Sequence, residues 1–250
     1  MDKQIEAQLK KWAKTYNVAS FIPDDPVRFP HRYTRKQDIE VSGFLTSWIS
    51  YGRRELILRK AESLHREMGE SPHEWILSGQ FHKLNPEVPD GKRDTFYRFY
   101  TYADLRALCD RLKAVYETYG SLEEALAENP APNPILKLQD LFAGIKGIPA
   151  TNGTSACKRL AMFLRWMIRT DGIVDFGIWN TAFHPRQLII PLDTHVHQIS
   201  LELGLTAQRS ATLKTALEIT DALSSIFPDD PCLGDFALFG YDINKKKRSD

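Results

Sequence analysis

The sequence predicts an all-α fold, and three observations carry that expectation. Apolar residues recur at helical spacing through most of the 250 residues, period-two alternation is almost absent, and capping residues, glycines and prolines bracket the periodic runs. With 42% of its residues hydrophobic, a chain of this length can bury a large core, as one domain or as two closely packed lobes. We expect about ten helices.

The opening MDKQIEAQLKKW is a charged amphipathic pattern without the apolar core of a secretory signal. In QDIEVSGFLTSWISYG, Ile39, Phe44, Leu45, Trp48 and Ile49 form one apolar stripe, and after the corner YGRR the pattern returns in ELILRKAESLHREMG with Leu56, Ile57, Ala61, Leu64 and Met68. Gly69 stops that helix. Capping boxes at Ser71-Pro72-His73-Glu74 and Ser121-Leu122-Glu123-Glu124 mark two further starts. ADLRALCDRLKAVYETYG and ATLKTALEITDALSSIF read as amphipathic helices, and the short LIIPL reads as an extended loop because of Pro191. NPAPNP (129–134) is the best linker candidate and LNPEVPDGKRD the second. The late NKKKRS reads as a solvated tail.

No run approaches the roughly 18 apolar residues of a membrane span, so a cytoplasmic protein with no membrane partner is expected, and a monomer. Cys109, Cys157 and Cys232 are far apart, odd in number and outside any CxxC spacing. That argues against a disulfide framework, a zinc site or a four-cysteine iron–sulfur cluster, leaves three buried thiols, and implies no cofactor. A formal net charge of +1 neither demands nor excludes a polyanionic partner, since local patches steer binding.

The chemistry concentrates late in the chain. If SACKRLAMFLRWMIR is one helix, Leu160, Phe163, Leu164 and Met167 form its buried stripe, while Lys158, Met162, Arg165 and Arg169 fall on a second, mostly cationic face. Such a face suits phosphate, and neighbouring cations favour a free lysine amine; it is equally the wet side of an ordinary amphipathic helix. Before it, FAGIKGIPATNGTSACK brings Gly144, Gly147, Pro149, Asn152 and Gly153 to the helix start, with Thr154 or Ser155 as N-cap. Amides of such a hairpin can receive a phosphate.

Asp193 follows the rigid IIPL and begins DTHVHQISLELGL, whose Val196, Ile199, Leu203 and Gly204 predict a helix and its stop. Its local role is the N-cap, which is compatible with stabilising a developing cation. Asp193, His195 and His197 also form a D-x-H-x-H pattern: on a strand they would converge on a metal ion, on a helix His195 points away. A metal-dependent hydrolase is therefore one alternative, although the helical pattern argues for no metal.

The Gly-containing hairpin, the lysine heading an apolar helix, PLDTHVHQISLELGL and GDFALFGY together resemble the helix-hairpin-helix superfamily of base-excision DNA glycosylases. More closely, DDPVRFPHRY, DIEVSGFLTSWISYGRR, YGSLEEAL, CKRLAMFLRWMIR, DFGIW and DPCLGDFALFG look like the bacterial family called domain of unknown function 2400, so the likeness covers nearly the whole chain. The 193 − 158 = 35 positions between lysine and aspartate are similar to the spacing in archaeal 8-oxoguanine DNA glycosylases.

The resemblance implies a single glycosylase-like domain over residues 1–250 with two interleaved helical lobes, a cleft between them, and the helix-hairpin-helix and catalytic region at 135–205. It implies a DNA-repair enzyme that flips a damaged base, an oxidised one among the candidates, out of duplex DNA and excises it, with abasic-site lyase activity through a lysine Schiff base. Lys158 would be the nucleophile and Asp193 its partner. DNA contacts would come from Gly147, Gly153, Thr154, Ser155, Arg159, Arg165 and His195, and from Arg53 and Arg54 of the YGRR corner. Trp48, Phe99, Trp166, Trp179 and Phe183 could stack on a base, although such rings more often belong to the core. A non-catalytic module for damaged or bent DNA is the other alternative.

Overall fold

The computed structural model describes residues 3–85 and 94–249. Their regular structure is eleven α-helices, short 3-10 turns and a single two-stranded hairpin, so the fold is all-α as expected. The chain divides into two compact units, one formed by residues 1–24 and 152–250 and the other by residues 25–151. The best linker candidate, 129–134, is thus no boundary but a connection inside one unit, and residues 86–93 of the second candidate lie outside the described residues. No helix among the described residues is long and apolar enough to cross a membrane.

α1 (Lys3–Tyr16) opens the first unit. The second unit holds α2 (Lys36–Ile49), α3 (Arg54–Met68), α4 (Pro72–Leu77), the hairpin β1 (Thr95–Tyr97) and β2 (Tyr100–Thr101), α5 (Tyr102–Thr118), α6 (Leu122–Glu128) and α7 (Pro134–Leu141). The first unit resumes with α8 (Lys158–Ile168), α9 (Thr194–Glu202), α10 (Leu213–Ser224) and α11 (Leu233–Ser249).

In the second unit α2 is the core. Every residue from Asp38 to Ile49 is buried, two carboxylates included, and each carboxylate serves the start of another helix. Asp38 Oδ1 accepts the His73 amide at 2.8 Å and the Ser71 hydroxyl at 3.1 Å. Glu40 Oε2 accepts the Leu122 amide and the Tyr116 hydroxyl, both at 3.0 Å. A lone buried carboxylate is strongly unfavourable, whereas one facing the unsatisfied amides of a helix N-terminus is compensated by them and by the dipole.

The same contacts correct the expected capping box at Ser71. Its side chain makes no cap, because Asp38 already delivers an oxygen to α4 from another helix. At Ser121 half of the box forms: the hydroxyl oxygen accepts the Glu124 amide, while the Glu124 carboxylate takes the Gly120 amide instead of that of Ser121. The hairpin is a second correction. Thr95–Thr101 reads TFYRFYT, aromatic enough for strands, but its two-residue turn lacks the Gly or Asn that would have announced it. LIIPL is an extended segment in no regular element, its aliphatic side chains buried and its Ile190 amide donated to the Thr220 hydroxyl at 3.0 Å.

His65 on α3 is buried with both ring nitrogens used. Nδ1 donates to the Ala61 carbonyl and Nε2 accepts the Ser42 hydroxyl, each at 2.7 Å, so the ring is neutral. Burial, opposed by the Ala61 carbonyl and assisted by Arg32, pushes its pKa down to about 4. An unfolded histidine titrates near 6.5. The folded state therefore binds fewer protons in the window between, and this contribution to stability is intact above pH 6.5 and lost as pH falls toward 4, amounting to about 3 kcal/mol. By NMR the His65 ring is expected to stay neutral down to about pH 5; a titration midpoint of 6 to 7 would contradict the assignment.

In the first unit α11 lies against α1 through edge-to-face pairs, Trp12 with Tyr241 at 5.4 Å and Tyr16 with Phe239 at 5.6 Å, and against the 3-10 turn that follows α1 through Phe21 with Phe236 at 5.2 Å. NKKKRS prolongs α11, and its Lys245 pairs with Glu202 on α9 at 2.7 Å. Its other side chains lie outside the described residues.

Candidate active site

Two helix starts in the first unit bring together the residues singled out by sequence. Lys158 is the first residue of α8 and Asp193 is the N-cap of α9. Lys158 Nζ stands 3.2 Å from Asp193 Oδ2, with the two side chains 39% and 32% exposed. The other carboxylate oxygen, Oδ1, accepts the Val196 amide at 2.9 Å. One oxygen therefore caps the helix while the second faces the amine. A partly exposed ion pair contributes under about 1 kcal/mol to stability, so what the cap mainly secures is the position of the carboxylate.

The approach to Lys158 differs from expectation. Neither Thr154 nor Ser155 caps α8; the cap position is Cys157, held in the left-handed region at φ 53, ψ 30, where its side chain makes no capping bond. That conformation costs a non-glycine residue about 1 kcal/mol or more. Ser155 Oγ instead accepts the Cys157 amide at 3.1 Å. The Cys157 side chain is buried, and burial pushes its thiol up, which disfavours the thiolate.

The cationic face proposed for α8 is the main correction. Of Lys158, Arg165 and Arg169, only Lys158 reaches the surface. Arg165 is buried against Asp175 at 3.3 Å and against Asp235. Arg169 is buried among Asp230 at 2.7 Å, Asp175 at 3.0 Å and Asp171. Both guanidinium groups also lie over the Phe236 ring, at 4.8 and 5.1 Å. Arg165 therefore fastens α8 to α11 and is no phosphate contact. The available signal was the aspartate content of TDGIVDFG and PDDPCLGD, which matches the arginines.

Asp235, in the first turn of α11, is the residue that sequence reading missed. Burial pushes its carboxyl up to about 6; Arg165 opposes the rise, Asp193 adds to it and Lys158 opposes it. A second carboxyl is thus electrically linked to the lysine–aspartate pair. It stands inside GDFALFGY, a segment quoted for its resemblance without any role.

His195 is exposed on the first turn of α9, whereas His197 is buried and donates Nε2 to the Gln208 carbonyl at 2.8 Å. With α9 helical from Thr194, Asp193, His195 and His197 do not converge, and the metal reading of D-x-H-x-H loses its geometry. Among the described residues no group of three or more His, Cys, Asp or Glu is arranged to hold a metal ion.

Gly153, Thr154 and Ser155 are exposed, Arg159 is half-buried, and all four belong to the first unit with the pair. Gly147, Arg53 and Arg54 belong to the second. Gly147 has φ +88, and a Cβ there would lie 1.9 Å from the Tyr100 hydroxyl and 2.9 Å from Trp48 Nε1, so its lack of a side chain admits those rings. Arg53 and Arg54 are exposed at the start of α3, Arg53 lying 3.7 Å from Glu55.

A family model described as Protein of unknown function (DUF2400) matches residues 25–244. No curated protein and no solved structure matches the chain.

Proposed function

The chain belongs to the DUF2400 family, and on that premise we propose that it is a DNA-repair glycosylase, excising a damaged base from duplex DNA and cleaving the abasic strand through a lysine Schiff base. The observation that carries this reading is the 3.2 Å approach of Lys158 Nζ to Asp193 Oδ2 at two helix starts. Breaking an N-glycosidic bond develops positive charge on the sugar, and the reaction needs a fixed anion beside it and a nucleophile for C1′. The pair supplies both.

In this mechanism Asp193 Oδ2 takes a proton from the Lys158 ammonium and frees the amine. The amine attacks C1′ as the bond to the base breaks; the base leaves with the bonding pair and takes the proton that Asp193 received, which restores the carboxylate beside the sugar. Transfer of an Nζ proton to O4′ opens the ring and gives the Schiff base between Nζ and C1′. Loss of a C2′ proton then expels the 3′ phosphate and nicks the strand. The hairpin amides, Arg159 and His195 would receive phosphates.

Duplexes carrying single oxidised bases test the reading by release of free base. Binding is expected to weaken with salt by about 0.9 in log–log slope for each phosphate neutralised, and Arg159→Ala to flatten that slope by roughly one unit. Absence of base release from every lesion, with duplex binding insensitive to salt, would contradict the proposal.

A further inference from the structure

Of the five aromatic residues that could stack on a base, four are buried: Trp48, Trp166, Trp179 and Phe183. Phe99 alone is open, 53% exposed at the turn of the β1–β2 hairpin. We infer that Phe99 is a stacking platform for an unpaired DNA base, flanked by the Arg98 guanidinium as a contact for the neighbouring phosphate; this rests on the duplex-DNA reading above and extends it to the second unit.

The tip is built to hold the ring out. The rear face of Phe99 lies on Tyr51 at 4.9 Å with 25° between planes. Tyr51 is itself locked to the hairpin: its hydroxyl donates to the Tyr97 carbonyl at 3.1 Å, and the Tyr97 hydroxyl donates to the Tyr51 carbonyl at 2.9 Å. Tyr100, the residue after Phe99, is stacked on Trp48 at 4.0 Å and 6°. The platform is therefore rigid before any ligand arrives, which lowers the entropy cost of stacking.

Arg98 is held beside it. Its backbone takes φ 55, unusual for arginine, and its guanidinium sits 5.5 Å from the Tyr51 ring and 5.8 Å from the Phe99 ring. Gly52 makes room for it: at φ +94, a Cβ there would fall 2.5 Å from Arg98 Nη1. Arg53 and Arg54 follow directly in the chain, both exposed. An open ring on a rigid support with cations around it is complementary to a base face and its phosphates, and indifferent to which base is present.

The test uses the full chain and a duplex with one unpaired 2-aminopurine, whose fluorescence falls when it stacks. Wild type is expected to quench it. Phe99→Ala is expected to abolish the quenching and weaken binding of this duplex about tenfold, with little change for a fully paired duplex, and Phe99→Trp to restore both. Because Phe99 is exposed, the variants should fold. Unchanged quenching and affinity in Phe99→Ala, or equal losses on paired and unpaired duplexes, would overturn the platform while base release by wild type still upheld the glycosylase reading. A wild type that binds neither duplex would overturn both.

Discussion

Asp193→Asn is expected to slow base release by about 10²- to 10³-fold at saturating enzyme, the range found when one preorganised electrostatic group is removed from the place where charge develops. The geometry makes this substitution clean. Oδ1 of Asp193 caps α9 through the Val196 amide, and an asparagine oxygen caps nearly as well, so the helix start should lose less than about 1 kcal/mol. Oδ2 is the atom that faces Lys158, and its charge is what asparagine removes. Single-turnover rates measured beside urea midpoints separate the two roles. A rate within threefold of wild type in a folded variant would remove Asp193 from the chemistry and leave it a cap.

What could be read in one dimension was what depends on near neighbours. The helices α2, α3, α5, α8, α9 and α10 follow apolar periodicity, and Asp193 was recognisable as a cap because the amide it accepts is three residues on. Features that need a distant partner were misread. Nothing local marks Asp38 and Glu40 for burial, yet both are buried because α4 and α6 present amides to them. Arg165 looked like a phosphate contact, yet Asp175 and Asp235, ten and 70 positions away, take it into the interior. The left-handed Cys157 carried no signal at all, since the residue type does not favour that conformation. The lysine–aspartate partnership itself came from resemblance, because nothing in a separation of 35 positions says that two helix starts meet.

Lys158 carries the central claim. The adjacent Cys157 is buried and burial raises its thiol, which leaves the Lys158 amine as the group to test. Lys158→Ala should leave most duplex affinity in place, because one cation contributes about one phosphate to the salt slope. Loss of the amine removes only an exposed ion pair from the fold, worth under about 1 kcal/mol. The expected loss of covalent chemistry is complete. The most direct measurement is borohydride trapping on a duplex with an abasic site, since reduction fixes the Schiff base that only an amine can form. The account predicts a stable protein–DNA adduct with wild type and none with Lys158→Ala; an adduct that survives the substitution, or its absence from a wild type that releases damaged bases, would contradict it.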